Sequence, residues 1–297
     1  MVCDGAHVSA VYPSNVSDTR TAVEKLLSEH LNKCLSVIEV GRMINVGGTS
    51  QVFQLDLQLK EHNFHFRCVV KAVSLNHQQL AEREVAVYRK IGTHANIARF
   101  HGYFSDEKTN VLVMSSVGDV DLMDLLTHTG RPLHPSHTMK VGLCLANALH
   151  HLHSHAVLHR DVKPENVVIH GDSAFLVDMG LAVFLDDDGL YRSSSRPGTV
   201  RWQSPEILDM KPYGTHADVY SMGLVLFTAA TWVILVDPEM KGISSEIDHA
   251  TRFPSFSVGG DAWNSTPAEL CTLIELMLSR DKLQRPTAQQ VVCSYCI

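Results

Sequence analysis

The chain has 297 residues, 25 Lys and Arg against 32 Asp and Glu, a formal net charge of -7 and 45% hydrophobic residues. That composition excludes disorder, collagen-like repeats and coiled coils over most of the length, and it suffices to bury a substantial core as one large domain or two lobes. The acidic balance argues against a broad nucleic-acid or anionic-membrane surface, so neither partner is expected.

Residues 1–17 read as a loose tail, and no stretch in residues 1–30 has the apolar length of a signal peptide, which points to the cytoplasm or nucleus. A short helix follows, with Thr21 and Glu24 spaced as a capping box and Val23, Leu26, Leu27 and Leu31 as its apolar stripe. Strands take over from about residue 36 to 75. Phe53, Leu55, Leu57 and Leu59 alternate with Gln54, Asp56 and Gln58, and residues 64–73 repeat the pattern after the polar turn Glu61-His62-Asn63. A helix over residues 80–91 stops at Gly92, and two more strands are expected at 98–104 and 111–115. Beyond Gly118 the pattern is mainly helical. Val141, Leu145, Ala148, Leu149 and Leu152 share one helical face. The histidines that crowd its end (His150, His151, His153, His155) read as solvated imidazoles rather than a metal set, because no carboxylate or thiol completes one. Short strands at 167–170 and 174–177 flank a Gly-Asp turn. Near the end, Thr266-Pro267-Ala268-Glu269 has the spacing of a cap, a first-turn proline and a capping-box carboxylate.

Seven scattered cysteines, at 3, 34, 68, 144, 271, 293 and 296, read as reduced thiols, and Cys293 with Cys296 cannot alone complete a tetrahedral zinc site. The sequons at Asn15 and Asn264 then read as chance. Residues 219–236 carry no charge and have the minimum length of a spanning helix. They lack a basic flank and contain Ser221, Gly223, Thr228 and Thr231, so a buried core helix is the better reading.

The stretch His159-Arg160-Asp161-Val162-Lys163-Pro164-Glu165-Asn166 carries the most chemistry. With Asp178-Met179-Gly180 twelve residues past Asn166, the chain from about residue 36 onward resembles the eukaryotic protein-kinase family, Ser/Thr branch. The resemblance implies an α+β, bilobal fold: a small antiparallel-sheet lobe with one key helix (about 36–117) and a larger, mainly helical lobe (about 118–297), with residues 1–35 outside the kinase domain. It implies transfer of the γ-phosphoryl of ATP to Ser or Thr hydroxyls of a protein substrate, with Mg²⁺. Asp161 would accept the hydroxyl proton, Lys163 would steady the phosphoryl, and Asn166 and Asp178 would hold metal. Glu84 shares the inward stripe of Leu80, Val87, Tyr88 and Ile91, where a carboxylate needs a cation. By resemblance that cation is Lys71, which also contacts the α- and β-phosphates.

The phosphate loop falls on Asn45-Val46-Gly47-Gly48-Thr49-Ser50-Gln51-Val52, a degraded glycine pattern that can still cradle phosphate through backbone N–H groups. Val69 would lie above the adenine, Met114 would be the gatekeeper, and Val117 would belong to the hinge. Met179 stands for the usual Phe, and should pack on His159, Tyr88 and Phe100. Ser204-Pro205-Glu206 stands for Ala-Pro-Glu, with Arg285 as the structural partner of Glu206. Residues 181–203 would form the activation segment. Arg160 invites an anion, for which Ser193, Ser194 and Ser195 are phosphorylation candidates; Asp186-Asp187-Asp188 could instead supply fixed charge, or the serines could be plain solvated loop. The rival class is a pseudokinase, a nucleotide-binding scaffold without turnover. Oligomeric state, physiological substrate and pathway are not encoded legibly.

Overall fold

The computed structural model describes residues 16–31, 35–46, 49–59, 64–193, 195–234 and 260–295. Residues 1–15, the turn Glu61-His62-Asn63, Gly47, Gly48, Ser194, Cys3, Cys34, Cys296 and the last two residues of the 219–236 run lie outside these. The architecture is α+β, and the chain divides into two compact units, residues 1–85 with 99–116 and residues 86–98 with 117–297.

In the first unit a helix, α1 (Val16–Leu31), precedes strands β1 (Leu35–Val46), β2 (Ser50–Leu59) and β3 (Phe64–Ser74). The helix α2 (Gln78–Ile91) begins in this unit, and β4 (Phe100–Ser105) and β5 (Thr109–Ser115) complete an antiparallel sheet of order β1-β2-β3-β5-β4. The period-two pattern explains its two faces. Phe53, Leu55, Leu57, Cys68, Val70, Ala72, Val111 and Val113 form one core with Val23, Leu26 and Leu27 of α1. The opposite face packs Val73 and Leu112 against Ala81 and Val85 of α2.

In the second unit, β6 (Val120–Asp121), α3 (Leu122–Thr129), α4 (Pro135–Ser154) and β7 (Val157–Leu158) lead to the hairpin β8 (Val167–His170) and β9 (Ser173–Leu176). The strand β10 (Val183–Phe184) pairs with β7, and α5 (Pro205–Leu208), α6 (His216–Thr231), α7 (Gly260–Asn264), α8 (Ala268–Met277) and α9 (Ala288–Ser294) follow. The expected apolar stripe of α4 is buried, and α6 is buried from Ala217 to Thr231, which makes the uncharged run core as far as Thr231. Among the described residues no helix is long and apolar enough to cross a membrane.

Four local expectations are corrected. The helix α1 starts at Val16, so Thr21 lies inside it rather than at its N-terminal boundary. The strand expected from residue 98 starts at Phe100, because the Ala98 amide donates to Leu176 O of β9. Thr266 donates its hydroxyl back to Ala262 O (2.9 Å), leaving Pro267 as the residue before α8 without a side-chain cap; the capping box forms instead between Thr287 and Gln290 at α9. His153 is not solvated. Its side chain is 9% exposed and hydrogen-bonds Asp218 at 2.9 Å, a partner 65 residues away.

Candidate active site

The first unit supplies one half of the expected machinery. On β3, Lys71 lies opposite Val52 of β2 and Leu112 of β5, and Val69 lies opposite Met114. Strand alternation therefore sets Val52, Val69, Lys71 and Met114 on one face of the sheet. Lys71 Nζ donates to Glu84 Oε2 at 2.9 Å, with the two side chains 8% and 2% exposed. Glu82, two residues earlier, is exposed and accepts from Gln78 instead. Burial of both charges is tolerable because each neutralises the other.

The hairpin on which the phosphate loop is expected is closed by the pairs Asn45–Val52 and Val46–Gln51. Val46 is exposed, Thr49 half-buried and Ser50 buried. Gln51 is not brought together with Lys71. It has the parity of Phe53, is buried, and leaves its Oε1 without a hydrogen-bond partner among the described residues. Its backbone alone remains available to a ligand on the Lys71 face. Val117 is half-buried and belongs to the second unit.

The second unit supplies the other half. Between β7 and the short 3₁₀ turn at Pro164–Asn166 the chain carries Asp161, which is buried. Lys163 Nζ lies 2.7 Å from Asp161 Oδ2 and donates to Thr199 Oγ1 at 3.2 Å. The Thr199 amide donates to Asp161 Oδ1 at 3.3 Å. Asn166 Nδ2 donates both to Asp161 O (2.8 Å) and to Oδ2 (3.0 Å), so neither bond engages the amide oxygen. Gly198 permits this approach: its φ is +91°, and a Cβ there would stand 3.0 Å from Asp161 Oδ1 and 3.1 Å from Arg160 O. Asp178 is exposed, has a φ of +63°, and accepts from the Gly180 amide at 3.0 Å. Met179 beside it is fully buried.

Sequence reasoning gave no role to Asp218, yet Asp218 positions the loop. The His159 amide donates to its Oδ2 and the Arg160 amide to its Oδ1, each at 2.9 Å. These bonds hold Arg160 at a φ of +67°, a conformation that an L-residue rarely adopts unaided. Burial by itself would raise the Asp218 carboxyl, but the His153 hydrogen bond and charge, with His159, hold it below the usual carboxylate range. No local pattern shows what this residue binds, because its bonds span 58 and 59 residues. Lower in the unit, Arg285 holds Glu206 through two bonds of 2.7 and 3.0 Å while lying over the Tyr220 ring. That pair is remote in sequence and structural in character.

Comparison with known proteins decides the family. The model of the protein kinase domain matches residues 38–296. The chain belongs to the protein kinase family. It is 28% identical over 272 residues to calcium/calmodulin-dependent protein kinase type 1B of Homo sapiens, covering 90% of this chain and 77% of the relative. It is 25% identical over 285 residues to calcium-dependent protein kinase 1 of Arabidopsis thaliana, covering 94% of this chain and 45% of that one. It is 30% identical over 224 residues to an Aurora kinase of Candida glabrata, covering 72% of this kinase and 60% of the relative.

Proposed function

We propose that Asp161 is the proton acceptor of this kinase and that Lys163 and Thr199 flank the acceptor hydroxyl. The chain is an ATP-dependent protein serine/threonine kinase. The observation that carries the assignment of roles is the cluster at Asp161, where a carboxylate, an ammonium, a hydroxyl and an amide meet within hydrogen-bond distance. The acceptor oxygen attacks the γ-phosphorus, the bond to the bridging oxygen breaks, and ADP departs with that electron pair. Asp161 takes the hydroxyl proton, and Lys163 balances charge on the phosphoryl oxygens. Lys71, fixed by Glu84, serves the α- and β-phosphates, and the backbone of residues 45–46 and 49–52 would cover them.

The carboxylate of Asp178 and the amide oxygen of Asn166 are hard oxygen donors of the kind that Mg²⁺ takes, so these residues fit the ion and would hold it. When bound, the ion neutralises phosphate charge. Both the protein substrate and ATP follow from the family; the metal and the residue roles are part of this reading, as is a location in the cytoplasm or nucleus.

Asp161→Asn, assayed with labelled ATP and a generic protein acceptor, should lower kcat by at least 100-fold while nucleotide affinity stays within a few-fold, because the lost group acts on the hydroxyl. Phosphoamino-acid analysis of the wild-type product should show phosphoserine or phosphothreonine, as a Lys163–Thr199 pair suits a short hydroxyl side chain. Near-wild-type turnover of Asp161→Asn would overturn the assignment. Nucleotide binding without any phosphotransfer by the wild type would instead favour a scaffold.

A further inference from the structure

The buried guanidinium of Arg160 sits next to the catalytic carboxylate, and its partners are all neutral. Nε donates to Leu181 O at 2.7 Å, Nη1 donates to the Tyr213 hydroxyl at 3.3 Å, and the guanidinium carbon lies 4.7 Å above the Tyr191 ring. Among the described residues no carboxylate reaches it. Of the acidic run of the activation segment, Asp186 and Asp188 both clasp Arg192, the first at 2.9 Å, and Asp187 is exposed and makes no ion pair with Arg160. Fixed acidic charge therefore does not serve Arg160, and the place of an anion is taken by the π face of an aromatic ring.

The same tyrosine ties the segment to the body of its unit. Tyr191 N donates to Tyr213 O at 2.7 Å and Tyr213 N donates to Tyr191 O at 3.1 Å, an isolated antiparallel bridge. The two rings meet edge to face at 5.8 Å. Tyr191 also packs on a buried cluster of Leu158, Val183, Ile207, Tyr213 and Ala217. On either side of this bridge the segment is pinned again, by β10 on β7 and by Gln203 Nε2 donating to Pro197 O at 2.6 Å. The two hydroxyls described among the three candidate serines show no tie to Arg160; Ser193 Oγ donates to Ser195 O at 2.8 Å.

We propose that Tyr191 is a positioning residue that holds the activation segment on Arg160, in the role that a phosphate on Ser193, Ser194 or Ser195 would otherwise fill. Phosphotransfer by this chain is then independent of phosphorylation in its own activation segment. The inference rests on the kinase reading for its activity readout, but the clasp itself is a structural statement. Tyr191→Leu keeps apolar bulk and removes the ring; Tyr191→Phe keeps the ring.

The test uses the full chain, phosphatase-treated and verified by mass spectrometry, with two measurements: kcat and KM for a protein acceptor and for ATP, and amide hydrogen exchange at residues 190–192 and 213. Treated wild type and the variant with all three serines changed to alanine should stay within about 2-fold of untreated wild type. Tyr191→Leu should lose at least 10-fold in kcat/KM for the acceptor with KM for ATP nearly unchanged, and should lose exchange protection at 190–192. Tyr191→Phe should restore both. The proposal is overturned if phosphatase treatment costs 10-fold or more, or if Tyr191→Leu matches the wild type in exchange. A wild type inactive on every acceptor would count against the kinase reading, and exchange at 190–192 would still decide the clasp.

Discussion

Lys71 and Glu84 form a pair in which stability and the catalytic role proposed for Lys71 can be separated by mutation. Their 2.9 Å contact is buried at both ends, so removing one charge strands the other where water cannot solvate it. Lys71→Met should cost about 3–5 kcal/mol of stability in the first unit, the range for breaking a buried pair from one side, and should abolish measurable phosphotransfer. Adding Glu84→Leu removes the stranded carboxylate. The double variant should recover most of the stability and none of the activity, as read by chemical denaturation alongside the labelled-ATP assay. Recovery of activity in the double variant would mean that Lys71 acts through Glu84 alone and touches no phosphate. Gly198 makes a related point beside Asp161, since a side chain there would meet both the Asp161 carboxylate and the Arg160 carbonyl.

At the scale of elements, the turn between α2 and β4 uses a histidine ring nitrogen as a hydrogen-bond acceptor. His94 Nδ1 accepts from the Asn96 amide at 3.1 Å, its ring stacks on His151 at 4.7 Å, and His151 in turn meets His155 at 4.6 Å. Burial, then the charges of His151 and His150, lower the pKa of His94. A base that releases its proton more easily folded than unfolded is stabilising above its unfolded value, and that stability declines as the pH falls through about 6.5 and below. Exchange protection of the Asn96 amide, corrected for intrinsic rate, should therefore drop between pH 7 and pH 5.5, and His94→Gln should flatten the dependence. A flat wild-type profile would show that the stack does not control the turn. The sequence was most legible where one element explains itself: the alternation of Phe53, Leu55 and Leu57, the inward stripe carrying Glu84, and the uninterrupted motif from His159 to Asn166. It misled where the partner is distant. Thr21 and Glu24 have cap spacing yet lie mid-helix, His153 looks solvated until Asp218 arrives from α6, and Gln51 sits in the loop motif while alternation turns it to the other face of the sheet. Arg160 gave a sign that a partner was needed, but no local pattern distinguishes a phosphate from a tyrosine ring brought in by a backbone bridge.

Across the whole molecule, the two units have separate cores, and the first depends on α1. An apolar stripe such as Val23, Leu26 and Leu27 does not name what it will cover; here it covers the sheet face formed by Phe53, Leu55, Cys68 and Val70, all nearly inaccessible. Truncating a fully buried leucine leaves a cavity and forfeits its transfer free energy, at about 2–5 kcal/mol. Leu27→Ala should therefore lower the midpoint of unfolding of the first unit. The chain carries convenient reporters. Trp202, Trp232 and Trp263 all belong to the second unit, whereas Cys68 is buried in the first, its thiol pushed up to about 11 by burial and then by Asp56. Buried, protonated Cys68 is inert until its core opens. In a denaturant series, modification of Cys68 read by peptide mass spectrometry should move to lower denaturant in Leu27→Ala, while the tryptophan fluorescence transition should stay near its wild-type midpoint. Movement of both transitions together would show that the two cores unfold as one cooperative body, and that α1 stabilises the entire chain rather than the sheet it covers.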